Sequence, residues 1–177
     1  GMFYILGGYT HSGKTQLALT MILNNPDKRF ILFTPDELTP FVLQKLWAAA
    51  LDIHIDEARE LPISEQERVI EEHFPLLQIC DRSLTPGQMR DYMAACEQHW
   101  QADTDMMFYD YVECLPVGQG DGTVKQKVAR LKELSEASNV PMLAIHQSSR
   151  GGSKDSDGMS MSNLAYGGEQ EAIAVII

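Results

Sequence analysis

The chain carries 177 residues, 44% hydrophobic and 22% charged, ordinary globular usage that excludes a disordered or collagen-like polymer. Fourteen Lys and Arg against twenty-five Asp and Glu leave a net charge of −11, which speaks against a mainly electrostatic binder of nucleic acid or anionic membrane. No apolar run approaches the roughly 20 residues needed to span a bilayer, and no leader-like segment is visible, so the expectation is a cytoplasmic protein with one domain over residues 1–177.

Short apolar runs alternate with helical segments, the pattern of an α/β fold around a mostly parallel sheet flanked by helices. Gly1 before Met2 reads as a remnant of tag removal. The first strand, Phe3–Leu6, leads into Gly8-Tyr9-Thr10-His11-Ser12-Gly13-Lys14-Thr15, which fits G-x-x-x-x-G-K-[ST] at every fixed position, and the helical run Gln16–Leu23 follows. Glycines let such a loop turn its N–H groups inward as an anion nest, and the following helix adds its positive end. Lys14 brings a point charge to the β and γ phosphates, and the Thr15 hydroxyl is a natural Mg²⁺ ligand. The binding segment is read as Gly8 through Gln16, with ATP or ADP as ligand.

The second strand, Phe30–Thr34, ends in Pro35-Asp36-Glu37. Either carboxylate has the chemistry to orient and deprotonate an attacking water, and either equally suits a helix N-terminus. Thr39 and Pro40 then read as N-cap and first residue of a helix through Leu51, and Ser64 with Glu67 as the capping box of another. A third strand, Leu76–Cys80, precedes a helix opened by Thr85 and Gln88. Met106–Asp110 is an apolar strand ending in aspartate, the Walker B pattern, which makes Asp110 the metal-associated acid opposite Thr15.

Thr123 with Gln126 opens a helix in which Val124, Val128, Leu131 and Leu134 share a face, leaving Lys125, Lys127, Lys132 and Glu133 outward. Asn139 and Pro141 end it. The strand Pro141–His146 is followed by Gln147, an amide suited to contact a γ-phosphate or to serve as a plain polar strand end. The last strand is Ala172–Ile177. Segments 116–122 and 148–163 are Gly-, Ser- and Asp-rich loops after strands. Cys80, Cys96 and Cys114 form no metal or disulfide pattern and read as free thiols. His11, His54, His73 and His99 read as surface residues.

Together these pieces resemble the RecA-like ATPase core, most closely the C-terminal motor domain of DnaB-type replicative helicases. GGYTHSGKTQLAL is similar to that family's P-loop segment, FILFTPDELTPFVLQKL to its next strand and helix, and IHIDEARELPISEQERV to its connecting helices. LLQICDRSLTPGQMRDYM, MMFYDYVECL, VPMLAIHQSSR and GGEQEAIAVII resemble its later strands and motifs. The resemblance implies a three-layer P-loop NTPase core with Glu37 as catalytic base, Gln147 as γ-phosphate sensor, and Thr15 and Asp110 at Mg²⁺. It also implies a ring-shaped homo-oligomer and contact of loops 116–122 and 148–163 with single-stranded DNA.

Two features depart from the family pattern. The linker helix and the basic hairpin carrying the family's arginine finger have no counterpart, so the chain reads as the catalytic part of a longer machine. The second loop is not basic: Arg150 and Lys154 stand against Asp155 and Asp157, and neither loop offers aromatic platforms for bases. The alternatives are a RecA-like regulatory or assembly ATPase that switches protein partners, and a nucleotide-binding module with little turnover.

Overall fold

The computed structural model describes residues 1–9, 11–117, 122–148 and 174–176. Six strands, β1 (Phe3–Tyr9), β2 (Phe30–Phe33), β3 (Leu77–Cys80), β4 (Met106–Asp110), β5 (Met142–Ser148) and β6 (Ala174–Ile176), form one sheet in the order β3-β2-β4-β5-β1-β6. Each neighbouring pair runs parallel. The helices are α1 (Lys14–Leu23), α2 (Thr39–Leu51), α3 (Ile55–Arg59), α4 (Ile63–His73), α5 (Pro86–Trp100) and α6 (Val124–Ser138). Among the described residues no helix is long and apolar enough to cross a membrane.

The sheet is buried on both faces, which is why its strands are apolar without alternation. On one face Phe3, Ile5, Ile31, Phe33, Met107, Tyr109, Met142 and Ala144 pack against Met89 and Met93 of α5 and Val128, Leu131 and Leu134 of α6. On the other, Leu6, Phe30, Leu32, Phe108, Leu143 and Ile145 meet Leu19 and Ile22 of α1, Val42 and Leu46 of α2, and Val69 of α4. The sandwich therefore holds the sheet as a rigid plate, and groups at its strand ends inherit fixed positions. Cys80 and Cys96 are buried and Cys114 half-buried, all three as free thiols. Burial pushes the Cys96 thiol up to about 11.

All six strands stand where the sequence puts them; β4 has the bounds read from the sequence, and β1, β2, β3 and β5 have altered ends. β1 runs to Tyr9 and β5 to Ser148, because Gly7, Gly8 and Tyr9 continue the parallel ladder with His146, Gln147 and Ser148. Thr85–Gln88 and Thr123–Gln126 are capping boxes as read, and Asn139 ends α6 in the left-handed conformation. Ser64 caps nothing: α4 begins at Ile63 after an extended Pro62, so the serine already lies inside the first turn. Lys127 is not outward. It is buried, and its Nζ donates to the backbone oxygen of Glu113. Of the surface histidines, His11, His54 and His99 are exposed and His73 is half-buried. Thr10, residues 118–121 and 149–163 of the two loops, and residues 172, 173 and 177 lie outside the described residues.

Thr39 is likewise the first helical residue rather than the cap. The Thr39 N–H and hydroxyl both donate to Asp81 Oδ2, each at 2.9 Å, so the acceptor arrives from beyond β3. Those two bonds, the N–H first, hold the Asp81 carboxyl below its ordinary range. Its contribution is therefore complete above the pKa of the unfolded chain and fades as pH falls through the folded value. Asp81→Ala is expected to lower stability by about 1 kcal/mol at neutral pH. Denaturant midpoints measured from pH 7 downward check this: the gap between wild type and variant must shrink in acid.

Candidate nucleotide site

A cleft of about 640 Å³ lies at the C-terminal end of the sheet, where open α/β sheets present their ligand sites. β1 delivers the loop, β2 delivers Asp36 and Glu37, β4 delivers Asp110 and β5 delivers Gln147. The cleft is lined by His11, Ser12, Gly13, Lys14, Thr15, Gln16, Asp36, Glu37, Asp110 and Gln147 of the residues singled out in the sequence, together with Thr34, Lys45 and Tyr111. Gly8 and Tyr9 stand at the end of β1 and turn their carbonyls to the lysine beneath the loop.

The loop closes tightly. Ser12 N–H donates to Tyr9 O at 3.1 Å, and Gly13 sits at φ 84°, a left-handed conformation that suits glycine. A Cβ on Gly8 would stand 2.6 Å from Ser12 Oγ and 3.0 Å from Lys14 Cδ, so a side chain there would enter the lysine's space. Lys14, 8% exposed, donates to Gly8 O at 2.8 Å and Tyr9 O at 2.6 Å. Burial lowers its pKa, and the charges of Asp110 and Glu113 pull it back up. A polyphosphate entering the cleft meets a partly desolvated ammonium whose neutral partners it can replace.

Thr15 Oγ1 donates to Asp110 Oδ2 at 2.6 Å, joining the start of α1 to the end of β4. Burial raises the Asp110 pKa, the Thr15 hydroxyl, Lys45 and Lys14 oppose that rise, and Glu37 adds to it. A buried carboxylate short of compensating charge favours a cation beside it. One hydroxyl and one carboxylate side by side are hard oxygen donors, a set that fits Mg²⁺ completed by water and phosphate oxygens. Among the described residues no three His, Cys, Asp or Glu side chains gather into a denser metal site.

Across the cleft, Glu37 is paired with Lys45 of α2, Nζ to Oε1 at 2.6 Å and to Oε2 at 2.7 Å. The pair distinguishes Glu37 from its exposed neighbour Asp36. The sequence reading missed Lys45, although it is the only charged residue in a mostly apolar α2, and a lone cation in such a helix is a usable signal. It also missed Glu113, in the 3-10 turn Val112–Cys114 after β4, whose Oε1 accepts from Gln147 N–H at 3.1 Å.

No protein-family model matches the sequence, and no curated protein does. Solved structures do. The chain superposes on the "ATPase Domain of G40P" with a TM-score of 0.78 and 18% identity, over 98% of this chain and 68% of that one. It superposes on a DnaB-like replicative helicase, described with its primase interactions, with a TM-score of 0.78 and 16% identity, over 98% of this chain. It spans 46% of that helicase's length. The architecture that carries this cleft is thus the fold of the ATPase domains of DnaB-like helicases.

Proposed function

We propose that the chain is the ATP-binding, Mg²⁺-dependent ATP-hydrolysing motor domain of a DnaB-like replicative DNA helicase. The observation that carries this reading is the convergence of Lys14, Thr15, Asp110, Glu37 and Gln147 on one cleft from four parallel strands and their flanks. The loop from Gly8 to Ser12 wraps the polyphosphate with backbone N–H groups, and Lys14 neutralises its β and γ oxygens. Thr15 and Asp110 would hold Mg²⁺. When bound, the ion neutralises charge shared between the β and γ phosphates.

Glu37 orients a water toward the γ-phosphorus and takes its proton as the new P–O bond forms and the bond to the β-phosphate oxygen breaks. ADP and inorganic phosphate result. Lys45 keeps the Glu37 carboxylate aimed until water engages it. Gln147 contacts the γ-phosphate oxygens and loses that contact when phosphate leaves. The resemblance to the helicase family is what makes loops 116–122 and 148–163 the segments to contact single-stranded DNA. A homo-oligomeric ring would supply the trans-acting arginine that the family pattern calls for.

Phosphate release tests this. Slow release is expected that needs Mg²⁺ and stops with a chelator, because an arginine finger contributes a factor of about 10³–10⁵ in related NTPases. Oligo-dT binding, titrated with salt in ATP, tests the DNA partner. Mg²⁺-dependent turnover without any oligo-dT binding would favour a regulatory ATPase, a reading the net charge of −11 supports. Absence of ATP binding would refute both.

A further inference from the structure

β5 outruns β4. Its last partner on β4 is Asp110, opposite Ile145, whereas on the β1 side the ladder continues to Ser148. Parallel strands point the backbone groups of alternate residues to opposite neighbours. Met107 N–H donates to Pro141 O on the β4 side, and Met142 N–H to Met2 O on the β1 side. Odd-numbered β5 residues therefore face β4, and the Gln147 N–H faces the position where β4 has already ended. An N–H left there without an acceptor would cost the desolvation of a part-buried donor.

Glu113 fills the missing rung. Its Oε1 accepts from Gln147 N–H at 3.1 Å and lies 2.5 Å from Nδ1 of the buried His146, at ion-pair distance but out of hydrogen-bond alignment. Glu113 does not line the cleft, so its carboxylate stands behind Gln147 rather than against a nucleotide. The other oxygen, Oε2, is buried with no hydrogen-bond partner among the described residues. A half-buried carboxylate with one oxygen unpaired is costly in itself, the mark of a group kept for what it positions. The Glu113 backbone oxygen meanwhile accepts from Lys127 of α6.

We propose that Glu113 is a positioning residue. Its carboxylate stands in for the absent β4 rung, fixes the backbone of Gln147, and thereby sets the glutamine amide for γ-phosphate contact. This rests on the reading of Gln147 as the γ-phosphate contact. Through Lys127 the same residue ties that contact to α6.

Wild type, Glu113→Gln, Glu113→Asp, Gln147→Ala and the double variant Glu113→Asp/Gln147→Ala are titrated with N-methylanthraniloyl ATP and ADP. Gln keeps the acceptor without the charge. Asp keeps the charge but withdraws the acceptor by about 1.5 Å, one C–C bond. The expected result is that Glu113→Asp loses about tenfold in preference for ATP over ADP, with ADP affinity within about twofold of wild type. Glu113→Gln stays within about threefold of wild type, and the double variant is no worse than Gln147→Ala. Full ATP preference in Glu113→Asp, equal loss in Glu113→Gln, an additive double variant, or parallel loss of ADP binding overturns the proposal. Wild type that prefers ATP and loses that preference in Gln147→Ala, but not in Glu113→Asp, overturns this inference alone. Wild type that binds neither nucleotide overturns the functional reading as well.

Discussion

Lys14→Ala is expected to weaken ATP binding at least about a hundredfold, the largest loss from any single substitution in the chain. Charge-assisted hydrogen bonds contribute about 1.5–3 kcal/mol each, and a polyphosphate offers the ammonium more than one. Part of that gain is offset because Lys14 must release Gly8 O and Tyr9 O, which it holds at 2.8 and 2.6 Å. A net loss of about 3 kcal/mol corresponds to roughly a hundredfold in Kd. Calorimetric titration with MgATP measures it. Affinity within about threefold of wild type would mean that the loop's N–H groups alone hold the phosphates, and the role given to Lys14 would be wrong.

Glu37→Gln has the second large effect, on rate rather than binding. Removing a positioned general base costs about 10²–10⁴ in kcat, while glutamine keeps the shape of the side chain and an oxygen for Lys45. ATP affinity is therefore expected to stay near wild type as phosphate release falls toward background. Asp36→Asn is the control: its side chain lies exposed at the cleft rim, and its turnover should stay close to wild type. Undiminished hydrolysis by Glu37→Gln would assign proton removal to another group and leave the Lys45 pair without a catalytic purpose.

The parts of this site that were legible in the sequence are contiguous. The strand, loop and helix around Gly8–Thr15 announce themselves because glycines, lysine and hydroxyl fall within eight residues. Asp110 is visible because an apolar run stops on it. Residue chemistry alone left Glu37 level with Asp36, and resemblance tipped the choice toward Glu37. What stayed hidden is nonlocal. Thr39 looks like a cap in sequence, yet the acceptor is Asp81, 42 positions away. Lys127 looks like a surface residue on a helical wheel, but the 3-10 turn after β4 brings the Glu113 carbonyl over it. Glu113 meets Gln147 only because β4 is shorter than β5, a fact of sheet register that no periodicity in either segment encodes.

The strand order has a consequence for how such a fold varies. β1 and β2, which bear the phosphate loop and Glu37, follow each other in the chain but are separated in the sheet by β4 and β5. Three inter-strand steps of about 4.8 Å set the two roots roughly 14 Å apart. That separation is counted in whole strands, so neither loop length nor helix length can tune it. Segments inserted after any strand are free to grow, shrink or change partner while the sheet keeps its ruler unchanged.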